Sequence, residues 1–331
     1  MCYILSEMSP NTNRQKLIVV VGPTASGKSD LALRLAKLAQ GKAFRKYGIN
    51  GAEIISADSR QVYRGMDMGT GKVTQKEQKI VRHHLLDVVS PKKQFTAFDF
   101  KKLGEKALSD IVRRSRLPII VGGTGFYIDV LLGQMQIAQV PPNKQLRAKL
   151  EKQSAEQLYS QLLSMDYRRT QKIDRYNKRR LVRALEIAMA TKKIIPKNKA
   201  VLQYFHDRGS IVIQNNLYNI LFIGIKLSRK KLEKRIKFRL DQRLKQGMVG
   251  EVKNLIKNGV SYNRLRKFGL EYKWLSLYLQ NKISYEEMKE NLYRDIVRYS
   301  KRQMTWFKKN KEIKWLEDGK SAEYLIRRFI S

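Results

Sequence analysis

The chain has 331 residues, 68 of them Lys or Arg and 29 Asp or Glu, for a formal net charge of +39. With 42% hydrophobic residues it can bury a large core, which excludes a disordered polymer, and no apolar run reaches the roughly 18–20 residues of a membrane span. A single cysteine, Cys2, and three histidines, His83, His84 and His206, exclude a disulfide framework and a cysteine-based zinc site, leaving magnesium as the metal that oxygen ligands favour.

In chain order, residues 16–21 (KLIVVV) form an apolar run that predicts a buried strand, GPTASGKS follows at residues 22–29, and helical spacing continues from Ser29 to Ala39. Strand, glycine-bearing loop and helix in that order make a P-loop. Gly22 and Gly27 let the backbone wrap closely, and the stretch Gly22, Pro23, Thr24, Ala25, Ser26, Gly27, Lys28 and Ser29 turns its N–H groups and a helix N-terminus toward an anion. Lys28 adds a point charge, and the Ser29 hydroxyl can ligate Mg²⁺. Such a loop holds a diphosphate or triphosphate, so kinases, ATPases and transferases with a diphosphate leaving group all fit.

A second apolar run, residues 52–57, delivers Asp58 to the C-terminal end of a strand, where open α/β sheets bind ligands. A carboxylate there serves as a general base, a magnesium partner or a turn cap. His83 and His84 open HHLLD and read as structural or nucleotide-facing residues. A third run, residues 117–121, ends in GGTG, which brings Thr124 to the same edge as a functional hydroxyl or a helix cap. An ordinary ATPase would place an aspartate at that strand end.

After Pro141 and Pro142 the pattern is helical, with Leu181, Ala184, Leu185 and Ala188 on one face and Arg179, Arg180 and Arg183 off it. Residues 217–227 (LYNILFIGIKL) read as another buried strand, followed by basic helices. The fold class is α/β: a parallel-sheet core of the P-loop NTPase kind, with residues 1–133 as its first part, 134–212 as a helical insertion domain and 213–331 as the continuation. Residues 1–140 carry 22 basic and 11 acidic side chains whereas residues 141–331 carry 46 and 18, so the larger excess of charge lies beyond the P-loop half. Nucleic acid is the anionic partner such a surface suits best.

GPTASGKS, DSRQVYRGMDMGTGK from Asp58, HHLLD from His83 and VGGTGFY from Val121 together resemble the tRNA dimethylallyltransferases. The resemblance continues through RRLVRALE from Arg179, RIKFRLDQRLKQGMVGE from Arg235 and KRQMTWFKK from Lys301. It implies that the P-loop, which looks like an ATP site, holds dimethylallyl diphosphate. It further implies transfer of the allyl group to N6 of adenosine 37 in tRNAs reading codons that begin with U. Asp58 would then be the general base and Thr124 a hydrogen-bond partner of the bridging oxygen, with Lys28, Arg239 and Mg²⁺ on Ser29 neutralising the leaving diphosphate.

By the same resemblance, contacts to the anticodon stem-loop fall on Asp58, Ser59, Arg60, Gln61, Thr124, Arg147, Arg179, Arg180, Leu181, Val182, Arg183, Arg266, Lys267, Phe268, Gly269, Lys301, Arg302 and Gln303. Phe268, Tyr272, Trp306 and Phe307 are stacking candidates, because an extruded base needs its lost stacking replaced. The family pattern is departed from at Gly269-Leu270-Glu271-Tyr272 and at Ile296-Val297. A cytoplasmic monomer is expected, without membrane association. The competing readings are a small-molecule kinase, which has no use for so basic a second half, and an RNA-binding NTPase, which would need the missing aspartate.

Overall fold

The structure, a computed structural model, describes residues 14–138, 140–191, 217–317 and 320–331. Cys2, His206 and the expected boundary at 212–213 lie outside the described residues. The chain divides into two compact units, one within Met1–Met135 and Gln214–Ser331, the other within Gln136–Ile213.

The described strands of the first unit form one sheet: β1 (Gln15–Val21), β2 (Ala52–Ser56), β3 (His83–His84), β4 (Leu117–Gly122), β5 (Tyr218–Ile225) and β6 (Lys314–Leu316). Their order is β3-β2-β4-β1-β5-β6, and every neighbouring pair is parallel. The inner strands read as unbroken apolar runs because both faces of such a sheet are covered. Ile18, Val20, Ile54, Ile119 and Ile223 pack to one side with helix Lys28–Leu38 and the C-terminal helix Lys320–Ile330. Leu17, Val19, Ile55, Ile120 and Phe222 pack to the other, with helices Ala97–Arg113 and Gly125–Leu131. Val21 lies level with Gly122 and Gly224, and Ser56 with Val121, so the loops that leave β1, β2 and β4 open on one edge.

Beyond β5, helices Arg229–Lys245, Met248–Lys257, Tyr262–Phe268, Leu270–Tyr278 and Tyr285–Phe307 enclose a separate core that includes Ile236, Leu240, Tyr272, Leu275 and Leu292. The long last helix starts on a capping box, in which Ser284 and Glu287 satisfy each other's backbone N–H groups. In the second unit, helices Lys144–Leu150, Ala155–Met165 and Lys178–Thr191 close on Leu150, Leu158, Leu162, Leu181, Val182 and Leu185.

Candidate active site

β1 runs into the loop of residues 22–29, which turns into helix Lys28–Leu38 through Gly27 at φ 97° and ψ 17°. Only glycine adopts that left-handed conformation without strain, and it leaves the first helical N–H groups pointing out of the turn. Within the loop the Ser26 hydroxyl is buried with no hydrogen-bond partner among the described residues. An unmatched polar atom of this kind is costly unless something else meets it, which is what an anion cradle requires.

A cavity of about 1030 Å³ lies over the loop, lined by Lys28, Ser29, Asp58, Gln61, Arg239 and Tyr299 among others. Lys28 Nζ donates to the carbonyl of Pro23 at 3.3 Å. Burial lowers its pKa from 10.5 to about 8, with the nearby Arg239 and Arg243 acting in the same direction and Asp58 and Asp30 opposing. A bound diphosphate would relieve that strain by supplying the missing countercharge.

Asp58 follows β2, and its Oδ1 accepts the backbone N–H of Arg60 at 2.8 Å and of Gln61 at 3.4 Å. That turn fixes the carboxylate and, among the described residues, leaves Oδ2 without a hydrogen bond. Thr124, after β4, is bolted to the same place: its N–H donates to Ala57 O at 3.2 Å, and its Oγ accepts the Ser59 N–H at 3.1 Å. A side chain on Gly122 would collide with the Ala57 carbonyl, so glycine is what allows β2 and β4 to deliver their loops so close together. Thr124 does not itself line the cavity, whereas Tyr299 does. The Tyr299 hydroxyl interacts with the Thr124 side chain, and its pKa is pushed up to about 12, first by burial and then by the charge of Asp58.

Helix Arg229–Lys245 brings Arg235, Arg239 and Arg243 to the cavity at four-residue intervals. Arg235 Nη1 donates to the Ser26 carbonyl at 3.0 Å, and Arg243 approaches the carboxylate of Glu271 at 3.8 Å. Arg239 is pulled down to about 10, by burial first and by Arg243 next, and stays cationic at neutral pH. Burial raises the pKa of Glu271, with Arg243 opposing. Among the described residues no group of three or more His, Cys, Asp or Glu side chains could hold a metal. A magnesium ion at Ser29 would therefore take most of its ligands from the diphosphate and from water, as that ion commonly does.

Several residues expected at an RNA surface are otherwise engaged. Gln303 is buried, its Oε1 accepting the Thr24 N–H and its Nε2 donating to the Gly123 carbonyl, both at 2.8 Å, so its amide ties the phosphate loop to the end of β4. Arg147 grips the buried Glu186 through two bonds of 2.8 and 2.6 Å, and Arg183 bonds the same carboxylate. Burial acts to raise the Glu186 pKa, but the two guanidiniums and the Asn143 N–H bring it down to about 2. Leu181 and Val182 belong to the core of the second unit, and Phe268 to the helical core of the first. Arg60 Nε donates to the Phe268 carbonyl at 2.9 Å, anchoring the turn that carries Asp58. Arg179, Arg180, Lys267, Lys301 and Arg302 are exposed, Arg266 and Gly269 are half-buried, and Gln61 bonds Ser56 and Gly71 inside the cavity wall.

Sequence reasoning missed Tyr299, although it lies four residues before Gln303 and so shares a helix face with it. It also missed Glu251, whose carboxylate accepts the N–H groups of Asp67, Met68 and Gly69 and the Tyr272 hydroxyl, thereby holding the loop that forms one cavity wall. Of the histidine pair, His84 bonds the buried Glu53 at 2.6 Å while His83 faces the cavity. Burial acts to raise the Glu53 pKa, yet hydrogen bonds from Arg114 and His84 leave it below the usual carboxylate value.

A strand-fed phosphate loop, an aspartate on the neighbouring strand end and glycines with threonine where an ATPase carries its second carboxylate define a P-loop protein suited to binding a diphosphate. The chain belongs to the IPP transferase family, whose model matches residues 61–310. It is 41% identical to tRNA dimethylallyltransferase 2 of Shewanella sediminis over 305 residues, which cover 91% of this chain and 93% of that protein. Its fold is similar to the crystal structure of the tRNA isopentenylpyrophosphate transferase of Bacillus halodurans, with a TM-score of 0.66 and 32% identity over 96% of both chains. A eukaryotic dimethylallyltransferase acting on tRNA matches with a TM-score of 0.71 and 25% identity, covering 88% of this chain and 70% of that one.

Proposed function

We propose that this chain transfers the dimethylallyl group of dimethylallyl diphosphate to N6 of adenosine 37 in the anticodon loop of tRNAs reading codons that begin with U. The observation that carries the reading is the pairing of an empty-handed Asp58 oxygen with a phosphate cradle in one cavity, in a chain of the IPP transferase family. N6 attacks the allylic carbon, the bond from that carbon to the bridging oxygen breaks, and pyrophosphate leaves with the electron pair. Asp58 takes the N6 proton on the oxygen its own turn does not use.

Thr124 accepts the Ser59 N–H and its side chain meets the Tyr299 hydroxyl, which lines the cavity, so its hydrogen bond toward the donor's bridging oxygen would run through this pair. Lys28, Arg239 and the loop N–H groups meet the charge that grows on the leaving group, preorganised so that no solvent must reorient. Mg²⁺ held at Ser29 would add to that neutralisation. The exposed Arg179, Arg180, Lys267, Lys301 and Arg302 would grip phosphates of the anticodon arm. The reading takes the protein to act as a monomer in the cytoplasm, and no described helix is long and apolar enough to cross a membrane.

The test is incubation with Mg²⁺, labelled dimethylallyl diphosphate and an unmodified tRNA bearing adenosines at positions 36 and 37. Label is expected on adenosine 37, and Asp58→Ala should retain tRNA binding while losing transfer. Turnover of ATP by folded protein that transfers no label would overturn the assignment.

A further inference from the structure

Two charged side chains near the phosphate loop have no part in the chemistry above. Arg243 lines the large cavity together with Lys28 and Arg239. It also lines a small cleft of about 20 Å³ beside Thr24 and Ala25 of the loop, and Glu271 lines that cleft but not the cavity. The guanidinium thus faces both spaces and the carboxylate only the inner one. Both side chains are largely buried, at 16% and 12% exposure.

The guanidinium is held but not used up. Arg243 Nη1 lies 3.8 Å from Glu271 Oε1, an ion-pair distance too long for a hydrogen bond, and its bond to the Gly69 carbonyl is long at 3.5 Å. An arginine has five N–H groups, so a buried one with a single long bond among the described residues keeps donors for another acceptor. A side chain on Gly71 would collide with the Arg243 guanidinium and crowd that of Arg239, which shows how the two cations meet at one point of the wall. Lys28, Arg239 and Arg243 are near enough to repel one another until an anion arrives.

Glu271 is placed at a structural cost. It follows Gly269 at φ 78° and Leu270 at φ 42°, and leucine enters that left-handed region only under strain. On its other side the buried Tyr272 donates to Glu251 at 2.8 Å, so residue 271 is pinned from both directions. The stretch is also one of the two where this chain departs from its family's pattern, so family membership assigns neither residue a role.

We propose that Arg243 is a further ligand of the donor's diphosphate, and that Glu271 is the positioning residue that holds the guanidinium at the cavity wall without competing for the anion. The proposal rests on the diphosphate reading above and enlarges its cationic side chains from Lys28 and Arg239 to three. The transfer step is unchanged: Arg243 meets the charge that the breaking carbon–oxygen bond leaves on pyrophosphate.

Isothermal titration of the protein with inorganic pyrophosphate and Mg²⁺ provides the test, with anticodon stem-loop binding as a second measurement. Arg243→Gln should weaken pyrophosphate binding by about ten- to a hundredfold, the scale of one lost charge-assisted hydrogen bond, and leave stem-loop affinity unchanged. Glu271→Gln should weaken it by about three- to tenfold in the wild-type background and not at all beside Arg243→Gln, where no guanidinium remains to be held. Equal losses in both backgrounds would overturn the positioning role. The double variant keeps neither charge of the pair, so it is expected to fold even if Arg243→Gln alone strands a buried carboxylate. Unchanged pyrophosphate affinity in the double variant would overturn the proposal, and so would a loss confined to the stem-loop, which would give the arginine to the RNA. Wild-type protein that binds no pyrophosphate would overturn the diphosphate reading and this proposal with it, whereas pyrophosphate binding without transfer of label would count against prenyl transfer alone.

Discussion

Replacing Lys28 with methionine should stabilise the protein while abolishing its use of the donor. Lowering an ammonium pKa from 10.5 to about 8 corresponds to about 3 kcal/mol of folded-state penalty at pH 7. The side chain keeps partial contact with solvent through the cavity, and its bond to Pro23 is lost on substitution, so about 2 kcal/mol is the working expectation. Methionine fills a similar volume and needs no countercharge. The pH dependence has a definite sign. The folded chain releases this proton at lower pH than the unfolded chain, so the penalty is complete below pH 8 and fades between about 8 and 10.5. Urea unfolding midpoints of parent and Lys28→Met, compared without ligand at pH 7 and pH 10, measure it. The variant should lead at pH 7 and lose most of its advantage by pH 10. A variant weaker than its parent at pH 7, or a gap that does not narrow with pH, would refute the reasoning.

Gln303→Ala leaves the Thr24 N–H and the Gly123 carbonyl without partners, so it should cost about 2–4 kcal/mol in thermal or urea unfolding and raise the KM for the donor. Gln303→Glu should restore only the bond from Thr24. Tyr299→Phe removes the hydroxyl beside Thr124 and should lower kcat more than either KM; because that hydroxyl titrates only near 12, the pH–rate profile of the parent should show no Tyr299 limb below pH 10. The affinity for tRNA should fall by about 0.7–0.9 log units per log unit of salt for each phosphate neutralised, read from filter binding across a salt series. A flat slope would contradict an electrostatic grip.

The P-loop, β1, β2, β4 and β5 were readable because each is a local pattern: an apolar run of five or more residues, or a loop whose residue types are dictated by an anion. β3 and β6 were not, since strands of two and three residues carry no periodicity and exist only because a neighbouring strand offers an edge. The surface was harder still. Arg183 and Glu186 stand three apart on one helix, which the sequence displays, but the second arginine on that carboxylate comes from residue 147, and no spacing rule reaches it. Gln303 lies in a basic stretch that suggested RNA contact, and only tertiary structure reveals that its amide is spent between two loops. Phe238 shows the converse: that it shares a cavity-facing side of helix Arg229–Lys245 with Lys231 and Lys234 is plain helical arithmetic once the cavity is known.

The strand order has a consequence for synthesis. β1 is completed at residue 21, yet its partner on one side spans residues 117–122 and on the other 218–225. At ordinary translation rates the second partner arrives roughly 10–40 s after β1, and pairing across so long a separation is slow. Until then the most continuously apolar strand of the protein keeps an open hydrogen-bonding edge, which is where wrong partners attach. The finished sheet covers that edge on both sides, so the greatest aggregation hazard of this fold belongs to the nascent chain and ends when β5 docks.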